Sequence, residues 1–337
     1  MSPIRRLVLL FELIWCFIQM YVIGVYILIR EMVQGHYSPP DKELPDSTGL
    51  VAMVTGGTEG IGLEVVRKLI SKNVTVFIAS MNKSKAEKVI NELKYDYPTS
   101  QVYHIPLDLR SLKSVKECMN QFLEYGRPLN ILINNAGVML TPYTLTTDGL
   151  EEQFQVNYLS HYYLTSLLLD KLESSCSPDY TSRIVNVSSA AHVFGGKNLD
   201  KLISKCDGLF EYSPHYAYTT SKLAIILATY NLHKQLKGSN SRVTVNAVHP
   251  GIVNTGLYRN VHWSIKWLMI FLAKHLFKTP KEASDSVVFV AITPQLEGVS
   301  GGYYDNCKSF QSCALSYNQS LQEELKCRTK DLLQQKT

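Results

Sequence analysis

The stretch Thr55-Gly56-Gly57-Thr58-Glu59-Gly60-Ile61-Gly62 decides how the fold of this chain is read. It follows a short apolar run, Leu50 to Thr55, and precedes Leu63 to Ser71, whose hydrophobic spacing is that of a helix. Glycines are needed between a strand and a helix where the backbone must approach a pyrophosphate, because a side chain would keep the phosphates away. The stretch therefore predicts a dinucleotide site, and the alternative is a tight turn built from the same residue type.

Beyond this turn, short apolar runs rich in β-branched residues alternate with longer amphipathic stretches. The further runs are Val74 to Ala79, Val102 to Ile105, Ile131 to Ile133, Arg183 to Val187 and Val243 to Val248. Such alternation is typical of a parallel sheet covered on both faces by helices. No internal repeat or second domain boundary precedes a helical pattern from Leu321 to Leu333. Residues 49–337 are therefore predicted to form one doubly wound α/β domain of the Rossmann type.

The amino-terminal segment is apolar from Leu7 to Ile29, and at about 1.5 Å per residue a helix of this length crosses a bilayer. A cleaved signal peptide is the alternative, but its apolar core would be shorter, and no small-x-small cleavage site follows. Residues 1–30 are thus predicted to be an uncleaved membrane anchor, and the proline-containing residues 31–48 a linker. The flanking positive charges do not decide which side of the membrane the folded domain faces.

The composition argues against two other classes of protein. The 337-residue chain has a formal net charge of +5, and its lysines and arginines form no basic stripe, so nucleic acid is not an expected partner. Its seven cysteines include no CxxC pair and no zinc-ligand spacing, so a metal site is not expected. An odd, scattered set of cysteines is typical of reduced thiols.

The spacing Gly-x-x-x-Gly-x-Gly in the first turn resembles that of the short-chain dehydrogenase/reductase family, and further motifs occur in the family's order over about Val51 to Tyr304. These motifs are Asp108 in Leu107-Asp108-Leu109, Asn134-Asn135-Ala136-Gly137, Asn157, Ser189, Tyr218 with Lys222, and Pro250-Gly251 followed by Thr255. The resemblance implies an enzyme that moves a hydride between NAD or NADP and an alcohol or carbonyl group. The cofactor contacts that it implies are Thr55, Gly56, Gly60, Ile61, Gly62, Asp108, Asn135, Tyr218, Lys222 and Thr255.

Tyr218 and Lys222 are four residues apart in a predicted helix, Tyr218 to Leu236, so both side chains leave the same face. A tyrosine has an unperturbed pKa of about 10, and a neighbouring ammonium together with oxidised nicotinamide is expected to lower that pKa into the useful range. The alternative is a surface tyrosine and lysine on an amphipathic helix. Ser189 follows a predicted strand at the carboxyl edge of the sheet, where ligands of open α/β folds bind.

The resemblance assigns a role to each of four catalytic residues, Asn157, Ser189, Tyr218 and Lys222. The Ser189 hydroxyl bonds the substrate oxygen, and Asn157 positions a water that passes protons by way of Lys222, which also holds the nicotinamide ribose. The preference between NAD and NADP stays open. From Ala79 to Lys83, after the second strand, there is no acid for ribose hydroxyls and no arginine for a 2′-phosphate.

The segment Trp263 to Phe277 is unusually apolar, contains two tryptophans, and is too short to span a bilayer. We expect it to lie in the membrane interface and open the site toward lipid. The alternative is a helix that packs in the core or in a homodimer contact.

Within the family, three stretches resemble members that act on long isoprenoid alcohols and the related retinol dehydrogenases. They are Asn134 to Met139, the Ser-Pro-His before Tyr218, and Phe277-Lys278-Thr279-Pro280. This resemblance implies a substrate of the polyprenol or dolichal type, with retinoids or steroids as alternatives. It implies a location at the endoplasmic reticulum membrane, with lipid droplets or secretion as alternatives. A cofactor-binding regulator or secreted factor without turnover is the alternative of another class.

Overall fold

The computed structural model describes residues 18, 21–39, 43–197, 212–260 and 276–337. Its strands are β1 (Val51–Thr55), β2 (Thr75–Ser80), β3 (Val102–Pro106), β4 (Ile131–Asn134), β5 (Arg183–Val187), β6 (Thr244–His249), β7 (Tyr303–Asp305) and β8 (Lys308–Ser309). They form one sheet in the order β3-β2-β1-β4-β5-β6-β7-β8, in which only the β7–β8 pair is antiparallel. The six predicted strands are confirmed with ends that differ by at most one residue.

The described helices are α1 (residues 21–34), α2 (Gly60–Ser71), α3 (Lys83–Asp96), α4 (Leu112–Glu124), α5 (Ser160–Ser174), α6 (Pro214–Gly238), α7 (Pro280–Ile292) and α8 (Gln319–Lys336). In two of them, an N-capping residue is followed directly by a proline as the first residue of the helix. Ser213 accepts a hydrogen bond from the third residue of α6, and Thr279 forms a capping box with Glu282 at the start of α7. A helical turn, Glu152–Phe154, and a π-helical turn, Gln155–Leu159, lead directly into α5.

Alternate residues of the central strands belong to two different cores, one on each face of the sheet. Ala52 and Val54 of β1 pack with α2, α3 and α7, whereas Met53 packs with α4, α5, α6 and α8. Side chains alternate across a strand, and a parallel sheet buried on both faces requires apolar residues at every position. All five residues of β1 are accordingly buried. The prediction of a doubly wound α/β sheet is confirmed.

The strand order places the predicted site motifs side by side. β1 lies between β2 and β4. Along the chain, β2 and β3 are added on one side of β1, and the later strands are added on its other side. A crevice that binds ligands forms outside the carboxyl ends of the strands at such a switch point. The glycine turn follows β1, the Asn135 motif follows β4, Ser189 follows β5, and Pro250-Gly251 follows β6.

The predicted anchor and the predicted lid fall largely outside the described residues. For Leu7 to Ile29, the structure describes residue 18 and the last nine residues, which belong to α1. α1 continues to residue 34, within the segment that the sequence predicted as a linker. Among the described residues, no helix has the length and apolarity needed to cross a membrane. Of Trp263 to Phe277, only the last two residues are described.

Candidate active site

A cavity of about 950 Å³ lies at the carboxyl edge of the sheet. Ten of the predicted site residues line it: Gly56, Gly60, Ile61, Gly62, Asp108, Asn135, Ser189, Tyr218, Lys222 and Thr255. Thr55 and Asn157, the other two, are buried behind its wall. The structure therefore brings together residues that are up to 199 positions apart in the chain, from Gly56 to Thr255.

The glycine turn after β1 has the shape that a pyrophosphate needs. A Cβ on Gly62 would lie 2.3 Å from the Gly56 carbonyl oxygen, and Gly56 and Gly60 have φ angles of +68° and +55°. Glu59 begins α2, but its side chain pairs with Lys85 and Arg259 and does not cap the helix. The first turn of α2 is thus left to a ligand in the cavity, and the backbone can approach that ligand closely. These residues fit the phosphates of a dinucleotide.

Thr55 supports this turn from inside the protein. Its hydroxyl accepts hydrogen bonds from the backbone N–H groups of Asn135 and Ala136 at 2.9 and 3.0 Å, and lies 2.9 Å from Nε2 of His161. The Asn135 side chain in turn donates to the Thr55 carbonyl at 2.9 Å. Burial lowers the pKa of His161 to about 4, so its imidazole is neutral at pH 7. Thr55 and His161 therefore fix the loop after β4 against the glycine turn, and a direct cofactor contact by Thr55 stays a prediction.

An arginine lines the cavity beside Asp108, although none occurs in the segment after the second strand. The Arg110 guanidinium donates to the Asp108 carboxylate at 2.9 Å and approaches the sulfur of Met81, also at 2.9 Å. Partial burial raises the pKa of Asp108, but the hydrogen bonds from Arg110 outweigh it, and the net pKa lies below the usual value. A fixed positive charge thus comes from the loop after β3, which no local pattern in the sequence indicated.

Ser189 and Tyr218 form the hydroxyl pair of the site. The Tyr218 phenol is buried in α6, close enough to the Ser189 hydroxyl to interact with it. Burial raises the pKa of Tyr218 to about 12, and the interaction with Ser189 lowers that pKa only in part. Among the protein's own groups, burial therefore has a larger effect on the pKa of Tyr218 than the expected lowering by Lys222. Tyr218 keeps its proton at neutral pH and can donate that proton to a substrate oxygen.

Lys222 lies one turn further along α6, on the same face as Tyr218, as the sequence predicted. Its ammonium is 5.9 Å from the centre of the Tyr218 ring and donates to the Val187 carbonyl at 3.1 Å. Burial lowers the pKa of Lys222 to about 8. The ammonium is thus still mostly protonated at pH 7 and can donate to hydroxyls of a ligand in the cavity.

Asn157 lies in the π-helical turn before α5, and its side-chain amide is hydrogen-bonded to other groups of the protein. Its Oδ1 accepts from the Val138 N–H at 2.8 Å, and its Nδ2 donates to the Val138 carbonyl and to the Ser221 hydroxyl, both at 3.0 Å. π-helical turns are frequent at functional sites, where they re-aim side chains. Asn157 therefore holds the loop that lines the cavity at Val138, and a role in a water relay stays a prediction.

One part of the remaining wall of the cavity is apolar and is formed by Tyr21, Ile27, Leu28, Met139, Leu140, Leu257, Tyr258 and Phe277. Lys85, Glu152 and Arg259 are among the polar residues that also line the cavity. Three of these residues belong to α1, which the sequence had predicted only as the end of the anchor. A polar end that fits a dinucleotide thus adjoins an apolar end of a kind that suits a lipid-like ligand.

Comparison with known proteins supports the same interpretation. The chain is 41% identical to the polyprenol dehydrogenase of Homo sapiens, covering 91% of this chain and 92% of that protein. It is 39% identical to retinol dehydrogenase 12 of Homo sapiens, covering 83% and 84%. Among solved structures, a protein from Mycobacterium paratuberculosis of uncharacterized function matches with a TM-score of 0.66 at 27% identity, covering 88% of this chain and 97% of that one.

The family model for short chain dehydrogenase matches residues 50–200 and 202–264, well over half of the chain. The matched region includes every predicted catalytic residue and the whole glycine turn. With this match and the identities to its relatives, the chain belongs to the short-chain dehydrogenase family.

Proposed function

We propose that the protein is a membrane-associated oxidoreductase that interconverts a long isoprenoid alcohol, of the polyprenol or dolichol type, and its carbonyl form. Membership of the family confirms the more general predictions of an oxidoreductase and of NAD or NADP as its cofactor. The observation that carries the proposal is the convergence of Ser189, Tyr218 and Lys222 with the glycine turn on one cavity that has an apolar end.

The site residues divide the proton chemistry among them. When bound, the nicotinamide ring supplies or accepts the hydride. In the direction of reduction, the Tyr218 phenol donates its proton to the carbonyl oxygen while Ser189 bonds the same oxygen, which stabilises the charge that develops there. In the direction of oxidation, Tyr218 must first lose its proton, which its raised pKa opposes. Tyr218 therefore acts as the acid in reduction, and its phenolate acts as the base that takes the alcohol proton in oxidation.

Two findings support an isoprenoid substrate. The apolar wall contains few groups that would need to hydrogen-bond, and burying an isoprenoid tail there stabilises binding by about 0.8 kcal/mol per CH₂ group. The relative at 41% identity is named polyprenol dehydrogenase. Retinoids are the second candidate, because a relative at 39% identity is named retinol dehydrogenase 12.

The purified full chain in detergent, tested with each cofactor, distinguishes these substrates. We expect kcat/KM to be highest for a polyprenal or polyprenol when compared with retinal, retinol and a steroid ketone and alcohol at matched concentrations. A higher kcat/KM for retinal would contradict the isoprenoid proposal in favour of retinoids. Cofactor binding without turnover of any compound would instead support a regulator that lacks activity.

Membrane association is supported by the outer face of α1. Its exposed residues are nearly all apolar: Val22, Tyr26, Ile29, Met32 and Val33, with the exposed Val25 at the rim of the cavity. Such a face is costly to leave in water, and it continues the apolar run that starts at Leu7. We infer that a lipid bilayer covers it, and the endoplasmic reticulum is the membrane that we propose.

Reconstitution into phosphatidylcholine vesicles tests the anchor. We expect the full chain to stay with the vesicles through an alkaline carbonate wash, because the apolar run from Leu7 to Ile29 is long enough to span a bilayer as a helix. A control variant, Phe17→Asp with Ile18→Asp, should be released, since a charged residue at the centre of such a helix costs roughly 2.5–3.5 kcal/mol. Release of the unmodified chain by the wash would show that no segment spans the bilayer.

A further inference from the structure

The carboxyl end of α1 is fixed to the catalytic domain by charged groups. Arg30 forms an ion pair with the buried Asp305. The Glu31 carboxylate accepts a hydrogen bond from the Ile252 N–H at 3.3 Å and lies 3.6 Å from Nε2 of His249. Ile252 and His249 flank the Pro250-Gly251 motif of the cofactor site. The helix is therefore attached directly beside the reacting end of the cavity.

The charge of Glu31 is maintained at this contact. Burial raises the pKa of Glu31, but His249, Lys278 and the Ile252 N–H outweigh burial, and the net pKa lies below the usual value of a glutamate. Asp305 lies in the same buried cluster as Glu31, and Arg30 is paired with Asp305 there. Such a set of buried, mutually paired charges holds the helix in one position, since breaking one pair leaves a charge uncompensated.

This attachment fixes the orientation of α1, and with it the face of the helix that lines the cavity. Gly24 and Leu28 precede Glu31 by seven and three residues, so the three residues lie on one face of the helix. Tyr21, Gly24 and Leu28 line the cavity, whereas Val22 is 64% exposed on the other side. α1 thus has an inner face that belongs to the substrate cavity and an outer face that is open to lipid.

Gly24 lies on this inner face and leaves open space. Among the described residues, no heavy atom lies within 4 Å of a Cβ built on Gly24, although the residue lines the cavity. Its backbone has no positive φ angle that would require glycine. Glycine weakens the interior of a helix, so its presence here has no structural reason within the helix itself. The space in front of Gly24 is part of the cavity.

We propose that α1 is a wall of the substrate cavity and that Gly24 keeps open the passage for the substrate's apolar tail, so that the residue at position 24 limits the bulk of that tail. The identity of the tail as an isoprenoid rests on the proposed function. The position of the wall rests on the contacts of α1 alone.

The variant Gly24→Phe tests the proposal, with Val22→Phe as a control that adds the same ring to the outer face of the same helix. The readouts are equilibrium binding of a tritiated polyprenol to the cofactor-loaded enzyme, cofactor affinity, and kcat/KM for a polyprenal and for a short soluble prenal. We expect Gly24→Phe to weaken polyprenol binding and to lower kcat/KM for the long substrate by at least roughly tenfold. Cofactor affinity, melting temperature and activity on the short prenal should be unchanged, and Val22→Phe should match the unmodified chain.

Unchanged polyprenol binding by Gly24→Phe would overturn the proposal, and so would an equal loss in Val22→Phe or a parallel loss of cofactor affinity. If the unmodified chain binds polyprenol and Gly24→Phe does not, yet neither turns it over, the wall is supported and the proposed function is wrong. If the unmodified chain binds no polyprenol but reduces retinal, and Gly24→Phe lowers that activity alone, the wall is again supported with a different tail.

Discussion

The variant Tyr218→Phe is expected to lower kcat for carbonyl reduction by roughly 10²–10⁴-fold, the usual contribution of a positioned general acid. Tyr218 is buried in the wall of the cavity that Ser189 and Lys222 also line, and its phenol is the group placed to donate a proton to a substrate oxygen. Phenylalanine keeps the ring and its packing but has no proton to give. The glycine turn is untouched, so cofactor affinity should change less than about threefold.

A control on the same helix separates chemistry from stability. Tyr230 is also buried in α6, and its phenol lies 2.7 Å from the Ser312 hydroxyl, but it does not line the cavity. Tyr230→Phe should therefore lower the melting temperature slightly, by the loss of about 1 kcal/mol, and leave kcat unchanged. A Tyr218→Phe enzyme with near-normal kcat, measured under single turnover, would show that another group supplies the proton.

The parts of the site that the sequence predicted are those encoded locally. The glycine turn is legible because one strand, three spaced glycines and one helix follow each other within about twenty residues. The shared face of Tyr218 and Lys222 could be predicted because residues four positions apart lie about one helical turn apart. Strand ends were accurate to one residue because runs buried on both faces stop where the chain leaves the sheet.

The features that the sequence did not predict depend on contacts between distant segments. Arg110 reaches the cavity from the loop after β3, next to Met81, which follows β2. The inner face of α1 could not be predicted, because from Met20 to Ile29 the sequence is apolar on all sides and no periodicity marks Gly24 or Leu28. The pKa of Tyr218 was expected to be lowered by Lys222 together with oxidised nicotinamide, but among the protein's own groups the burial of the phenol has the larger effect and raises this pKa.

The variant Lys222→Met is expected to impair cofactor binding and turnover together. The Lys222 ammonium lines the cavity 5.9 Å from the Tyr218 ring and is the charge available to ribose hydroxyls at this end. Hydrogen bonds to a charged group contribute roughly 1.5–3 kcal/mol, so cofactor Kd should rise about 10- to 100-fold. Methionine retains the length and apolar packing of the lysine stem, so the melting temperature should not fall.

The pH dependence of cofactor binding distinguishes this role of Lys222 from a structural one. Burial lowers the pKa of Lys222 to about 8, so the ammonium is present below pH 8 and is lost as the pH rises through that value. Cofactor affinity of the unmodified enzyme should therefore fall between about pH 7 and pH 9.5. The affinity of Lys222→Met should be low and independent of pH over the same range. Lys222→Arg keeps its charge throughout and should lose this pH dependence while retaining more affinity than the methionine variant. Titration of cofactor binding by nicotinamide fluorescence measures all three, and an unshifted profile in Lys222→Met would assign the pH dependence to a different group.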